Sequence, residues 1–249
     1  MVGIVVVFDF DKTIIDLDSD NWVVDELGAT DLFNELLPTM PWNSLMDRMM
    51  MELHEQGRTI DDIADVLKRA PMHPDVVPAI KAAHALRECF SEIHTNPSLV
   101  DEEGRLRIFP IHKFSKSPHD FCPPNMCKGL VMERIQASLM AEGKTKKRFI
   151  YLGDGNGDYC PSLKLGEGDF LMPRKNFPLW DLISQQNPLV IKAEIHEWSD
   201  GEEMGRILLR LINSISMAEN AQFLSPQNMA VAVHEAEAGF THSNPGNGG

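Results

Sequence analysis

Asp9 and Asp11 stand two residues apart, directly after the apolar run Ile4-Val5-Val6-Val7-Phe8. At that spacing both carboxylates can face one crevice beyond the run. One can attack an electrophilic phosphorus, while the other protonates the leaving oxygen and later activates water. A carboxylate that approaches an anionic phosphoryl group needs a metal to cancel charge and orient both partners. A second acidic pair, Asp154 and Asp158, lies in Gly153-Asp154-Gly155-Asn156-Gly157-Asp158 after another apolar run. Its glycines let the backbone come close to a ligand. Its carboxylates can complete an oxygen shell of the kind Mg2+ takes. Taken alone, the stretch reads equally well as a plain turn. A calcium loop of the EF-hand type is excluded, because the downstream glutamate and flanking helices are absent. Lys128 follows Pro123-Pro124-Asn125-Met126-Cys127 at a predicted helix start, where a lysine can help hold phosphate oxygens. By itself it is an ordinary solvated lysine. The three features gain weight from occurring together, in this order.

The elements that must position these residues are legible from periodicity. Ile4 to Phe8 is a short, continuous, β-branched run, the pattern of a buried parallel strand. Arg148 to Leu152 and Phe170 to Met172 read likewise. From Ser19 to about Ala70 the spacing is helical, through Trp22, Val23, Leu27, Leu32, Phe33, Leu36, Leu37, Leu45, Met49 and Leu53. Thr59 with Asp62 forms a capping-box signature for a further helix. The methionines at 46, 49, 50 and 51 read as packing. An all-helical block set directly after the first strand reads as a cap over a site. Helices are also predicted from Pro74 to Leu86, from a cap at Asn125 to about Glu142, from Pro178 to Ser184 and from Gly205 to Ile215. Phe90 to His94 is a candidate strand, and Asp101-Glu102-Glu103-Gly104 joins two β-like segments into a hairpin. The predicted fold class is α/β, a Rossmann-like parallel sheet flanked by helices. The expected division is a core of residues 1–18 and 72–216, a helical cap of 19–71, and a disordered tail from 217 to 249.

Composition narrows the classes of partner. The chain has 249 residues and a net charge of −14, so it lacks the basic footprint of a nucleic-acid binder. Lys144, Lys146, Lys147 and Arg148 read as a solvated helix end. No apolar run is long enough to span a bilayer. The N-terminus has no basic region or cleavage site of a signal peptide, so a cytosolic protein is expected. The four cysteines, Cys89, Cys122, Cys127 and Cys160, show no C-x-x-C spacing and no clustered histidine, and read as free thiols rather than a metal cage.

Phe8-Asp9-Phe10-Asp11-Lys12-Thr13 and Gly153-Asp154-Gly155-Asn156-Gly157-Asp158 resemble the first and fourth motifs of the haloacid dehalogenase superfamily of phosphatases. Asp18-Ser19-Asp20-Asn21-Trp22, the block from Cys122 to Lys128, and Tyr159-Cys160-Pro161 resemble its phosphocholine/phosphoethanolamine phosphatase-like branch. Within that branch the chain is most similar to plant thiamine phosphate phosphatase-like and pyrophosphate-hydrolysing proteins. The resemblance covers about residues 2 to 215. It implies Mg2+-dependent hydrolysis of a small phosphorylated substrate: thiamine monophosphate, phosphocholine, phosphoethanolamine or pyrophosphate. It implies Asp9 as nucleophile, Asp11 as acid/base and a carbonyl ligand of Mg2+, Lys128 and Thr13 on phosphate, Asp154 on the metal with Asp158 supporting or joining it. Asp20 is a candidate contact for a cationic leaving group or, equally, a solvated residue at the cap entry.

One family motif is missing. A Ser or Thr is required at the end of a second core strand, yet the helix ending at Leu86 runs almost directly into Arg87-Glu88-Cys89-Phe90. About one strand and one helix are absent. Loss of a phosphate-binding donor lowers rates on the order of 10²–10³, by analogy with oxyanion-hole deletions. A catalytically weak or inactive chain that keeps the fold as a binding or regulatory protein is therefore the alternative reading. If the strand at Phe90 to His94 moves in beside the first, Thr95 takes the vacant motif position.

Overall fold

The structure is a computed structural model that describes residues 3–83, 90–112, 119, 122–123, 126–141, 147–185 and 190–223. In chain order the elements are β1 (Ile4–Phe8), α1 (Ser19–Glu26), α2 (Thr30–Leu36), α3 (Trp42–Glu55), α4 (Ile60–Lys68), α5 (Val76–Ala83), β2 (Ser98–Val100), β3 (Leu106–Ile108), α6 (Lys128–Ala141), β4 (Arg148–Gly153), α7 (Tyr159–Ser162), β5 (Phe170–Pro173), α8 (Pro178–Gln185), β6 (Glu194–Ile195) and α9 (Gly201–Phe223).

Strands β1, β4, β5 and β6 form one parallel sheet in that order. Ile4 faces Arg148 and Phe8 faces Leu152 across the β1–β4 ladder. The Asp9 and Gly153-Asp154 loops therefore leave the sheet side by side at its carboxyl edge, where open α/β sheets place their sites. The backbone N–H of Asp9 extends the ladder to the Leu152 carbonyl at 2.9 Å.

Because strand side chains alternate, one sequence supplies two cores. Ile150, Leu152 and Met172 pack against α5 and α9, with Trp198 buried among them. Phe149, Tyr151 and Leu171 point the other way, toward α6 and α8. The α/β expectation is met, with a layer of helices on each face of the sheet.

The helices after β1 form their own core around Val24, Leu45, Met49 and Leu53, as the spacing predicts. Thr59 and Asp62 make the reciprocal capping box, the Thr59 N–H donating to Asp62 Oδ2 at 2.7 Å and the Asp62 N–H to Thr59 Oγ1 at 3.2 Å. The β2–β3 hairpin forms across Asp101–Gly104 but packs on the helical block, with Leu106 and Ile108 against its core. Arg107 holds Asp47 of α3 with two bonds of 2.9 and 2.8 Å, and the Ile108 N–H adds a third at 2.9 Å.

Three local expectations change. Phe90 to His94 is not a strand: no ladder forms there, and Ile93 is 77% exposed. Its run is too short and too polar to bury both faces as β1 does. The last helix is longer than 205–215. It starts at Gly201 and continues to Phe223, past the point where apolar spacing fades; residues from 224 on lie outside the described set. The two-residue β6 carries no periodic signal and owes its place to pairing with β5. The cap residue Asn125, Cys89 and the end of the predicted helix at Leu86 lie outside the described residues.

Asp47→Ala removes the carboxylate that ties the hairpin to α3. The loss of these three bonds, accepted by two carboxylate oxygens, is expected to lower stability by about 1–2 kcal/mol, seen as an earlier midpoint in chemical denaturation. An unchanged midpoint would show that the hairpin is held by apolar packing alone.

Candidate active site

The loop after β1 turns sharply. The N–H groups of Thr13, Ile14 and Ile15 all donate to the Phe10 carbonyl, and Lys12 takes a left-handed φ of 53°. That conformation is unusual for a residue with a side chain. Arg174, at the end of β5, holds it in place: Nη1 donates to the Lys12 carbonyl at 2.6 Å, and Nη2 to Asp16 at 2.7 Å. Its guanidinium also stacks on Phe177 and Trp198. No motif marks Arg174 in the sequence.

Asp11 and the cap share a bond. Asp11 Oδ1 accepts the N–H of Ser19, the first residue of α1, at 3.0 Å. Lys12 Nζ meets Asp18 at 2.5 Å. Burial raises the pKa of Asp11 above its ordinary value, against the lowering pull of the Ser19 bonds.

Asp9, Asp154 and Asp158 bring carboxylate oxygens within 4.8 Å of one another. Lys128, the first residue of α6, bridges two of them, with Nζ 2.5 Å from Asp9 Oδ1 and 2.7 Å from Asp158 Oδ1. Asp158 is fully buried. Its Oδ1 also accepts the phenol O–H of Tyr151 at 2.7 Å, and its Oδ2 accepts the N–H groups of Asp154 and Gly155 at 3.1 and 2.9 Å. Four donors thus converge on one carboxylate, which folds the Gly-Asp loop around itself. Gly153 has no room for a side chain here: a Cβ would lie 2.5 Å from the Asp158 carboxyl carbon.

Charge is out of balance in this cluster. Burial, then the Asp158 charge, push the pKa of Asp9 up to about 6, with Lys128 pulling it back. Burial, Asp158 and Asp9 push Asp154 up to about 7. Burial works against the Lys128 charge, but Asp158 and Asp9 outweigh it and hold its pKa above normal. Burial and the neighbouring Asp158 charge raise the Tyr151 phenol, which keeps its proton to donate.

The donor set suits Mg2+. It is all hard oxygen, and a divalent cation would offset the crowding that lifts Asp9 and Asp154. Those two carboxylates, with the Asp11 carbonyl, could hold it. The four acceptor positions of Asp158 are already filled, so Asp158 fits as the residue that positions Asp154 and Lys128.

The remaining sequence candidates divide. The Thr13 hydroxyl is buried without a hydrogen-bond partner. Asp20 accepts the Trp42 indole N–H at 3.0 Å, and burial raises its pKa. That ties Asp20 of α1 to Trp42 of α3. Thr95 is exposed and ends no strand beside β1. Its neighbours bind elsewhere, His94 to Arg134 of α6 and Asn96 to Asn43 of α3. The expectation that Thr95 replaces the missing motif residue fails with the strand that was to carry it.

An open parallel sheet with buried aspartates, a bridging lysine and a helical cap defines the class of phosphate-ester hydrolases with a haloacid dehalogenase-like core. The comparisons agree. The chain matches the profile of the "Putative Phosphatase" family over residues 4–85 and 82–212, and it belongs to that family. It is 59% identical to Inorganic pyrophosphatase 2 of Arabidopsis thaliana, over 93% of each chain. It is 51% identical to the Thiamine phosphate phosphatase-like protein of the same plant, over 89% of this chain and 100% of that one. Bovine pyridoxal phosphate phosphatase PHOSPHO2 is 28% identical over 84% of this chain and 98% of its own. The fold resembles that of a phosphoserine phosphatase solved as a phospho-aspartyl intermediate analogue, with a TM-score of 0.51 and 14% identity over 83% of this chain and 99% of that one. The family match falls in two parts that meet at residues 82–85, the place where the sequence is expected to lack a family segment. The alignment with Inorganic pyrophosphatase 2 spans 261 positions, more than the 249 residues of this chain, so the relative has residues with no counterpart here.

Tyr151→Phe should remove one of four donors to Asp158 and destabilise the chain by about 1–2 kcal/mol. Asp158→Asn should destabilise it by about 3–5 kcal/mol, because Lys128 is left beside an amide. Equal midpoints for the two variants in urea would contradict the central place of Asp158.

Proposed function

We propose that the protein is a Mg2+-dependent phosphatase that hydrolyses a small phosphorylated substrate through an aspartyl phosphate on Asp9. The observation that carries this reading is the bridge of Lys128 between Asp9 and Asp158, 2.5 and 2.7 Å long, beside Asp154. In this mechanism one Asp9 oxygen attacks phosphorus, and the phosphorus–oxygen bond to the leaving group breaks. Asp11 gives its proton to the leaving oxygen. It then takes a proton from the water that cleaves the aspartyl phosphate. Bound Mg2+ supplies charge compensation for the phosphoryl oxygens. Lys128 binds phosphoryl oxygen, and the unpartnered Thr13 hydroxyl offers a further donor.

Pyrophosphate and thiamine monophosphate are the leading substrates, because proteins named for acting on them share more than half of this sequence. Cys122, Cys127 and Cys160 form no disulfide, which suits a reducing compartment such as the cytosol. No helix among the described residues is long and apolar enough to cross a membrane.

One observation favours the weaker reading, a chain that binds phosphate but turns over slowly. The family match falls in two parts at residues 82–85, where the sequence is expected to lack the second motif, and no strand lies beyond β1 among the described residues. Hydrolysis of pyrophosphate, thiamine monophosphate and p-nitrophenyl phosphate, with and without Mg2+, tests both. Asp9→Asn should abolish the Mg2+-dependent rate, a loss on the order of 10³-fold or more. Equal rates for the two proteins would end the enzyme reading. Relative to a family member with the second motif, kcat/KM should be lower by on the order of 10²–10³.

The pH dependence has a definite sign. The folded-state values of about 6 for Asp9 and about 7 for Asp154 exceed their ordinary 3.8, so the folded chain holds protons that the unfolded chain releases. Metal-free stability therefore falls as pH rises from the ordinary value through those values. Mg2+ needs both groups ionised and relieves their repulsion. The gain in Tm on adding Mg2+ should be larger near about pH 8 than near about pH 5. The same gain at both would remove these carboxylates from the metal shell.

A further inference from the structure

Behind the acidic cluster lies a second group of metal-ligating side chains that the phosphatase reading does not use. Cys122, Cys127 and Cys160 are buried, and their sulphurs converge on the ring of His119. The Sγ–Sγ distances are 3.4 Å between Cys122 and Cys127 and 3.8 Å between Cys127 and Cys160. His119 Nδ1 lies 3.8, 3.4 and 3.4 Å from the sulphurs of Cys122, Cys127 and Cys160. All four atoms fall within 4.8 Å of one another.

We propose that His119, Cys122, Cys127 and Cys160 bind one zinc ion in a closed, structural site. Tetrahedral zinc has Zn–S bonds of about 2.3 Å and Zn–N bonds of about 2.0–2.1 Å, so its sulphurs sit about 3.8 Å apart and its nitrogen about 3.6 Å from each. The measured separations match that tetrahedron. A disulfide would need sulphurs about 2.05 Å apart and would use only two of the three thiols. Three soft thiolates and an imidazole select zinc over Mg2+, which keeps the two metal sites chemically distinct. On binding, each thiol releases its proton to solvent, and the Zn2+ with three thiolates carries a net charge of −1.

The local chain is built for the cluster. A turn from the Cys122 N–H to the His119 carbonyl sets these two ligands, with two residues between them, in the short spacing of a zinc knuckle. The Cys127 N–H donates to His112 Nδ1 at 3.1 Å. Gly129 is where α6 passes Cys160: a Cβ there would lie 2.3 Å from the Cys160 sulphur. The consequence for the acidic cluster is mechanical. Cys127 directly precedes Lys128, and Cys160 lies two residues beyond Asp158. One zinc would clamp the start of α6 to α7 and so fix the two ends of the Lys128–Asp158 bond.

The test uses the full chain, made without a metal-chelating tag and purified with a reductant. Elemental analysis by plasma mass spectrometry should find about one zinc per chain after dialysis against a weak chelator. Cobalt added to the stripped chain should give thiolate-to-cobalt charge-transfer absorption and the intense visible bands of a tetrahedral site. Cys122→Ser and Cys160→Ser should lose the zinc, while Asp9→Asn and Asp154→Asn keep it. Zinc retention in Asp9→Asn separates this inference from the phosphatase reading. A wild-type chain with no zinc and no charge-transfer band overturns the proposal, whether or not the cysteine variants fold. Zinc that leaves with Asp154→Asn and stays with Cys160→Ser overturns it too.

Discussion

The molecule is organised around an imbalance of charge: Asp9, Asp154 and Asp158 share a space with one ammonium, that of Lys128. Buried carboxylates at this density hold protons that they would give up in water, which is why two of them titrate near neutrality. The fold spends its most buried geometry on Asp158. Strand β4, a helix start and a glycine loop all converge there, and four donors fix its carboxylate. With Asp158 held, Lys128 is aimed at Asp9 and the backbone of Asp154 is set. The arrangement leaves a deficit of positive charge, which is the physical basis for expecting a divalent cation and an anionic substrate to arrive together.

The cap is wired into the same loop. Asp11 binds the first N–H of α1, and Lys12 pairs with the preceding Asp18. Arg174 grips the other side of the loop through the Lys12 carbonyl. A shift of α1 relative to the sheet would be felt first at Asp11, which the proposed mechanism uses as acid and base. The hairpin bound to Asp47 belongs to this unit as well, so the cap includes residues from both sides of α5.

Local chemistry was readable from the sequence where the signal was local. β1 shows as an unbroken β-branched run because both its faces are buried, and the aspartate pairs show because two motifs end two neighbouring strands. The Thr59–Asp62 box follows from spacing alone. Residues that act across the fold left no such trace. Tyr151 looks like one more buried strand residue until its phenol meets Asp158. Arg174 reaches the Lys12 carbonyl across a separation of 162 residues. The thiol cluster carries no paired-cysteine spacing in the sequence, since its short-spaced pair is His119 with Cys122, and Cys160 comes from another loop. A hydrophobic period cannot report any of these, since each depends on which loops the sheet order brings together.

The missing segment explains why the same aspartates support two different expectations of rate. In a parallel sheet an inner strand bonds to a neighbour on both sides, yet β1 pairs only with β4 among the described residues. The segment after residue 89 does pass this edge: Phe90 packs edge-on against Phe8 at 6.2 Å, and His94 bonds to α6. It shields the edge without supplying the ladder or a hydroxyl at its end. On the proposed reading, loss of a strand there would remove a phosphate donor and support for β1. It does not touch the bonds that hold Asp158, Lys128 and Asp154, which lie on the β4 side. On the proposed reading, the deletion is therefore placed to weaken phosphate binding while leaving Asp9, Lys128 and Asp154 assembled. Slow turnover with an intact Mg2+ response follows from that placement more directly than complete silence does.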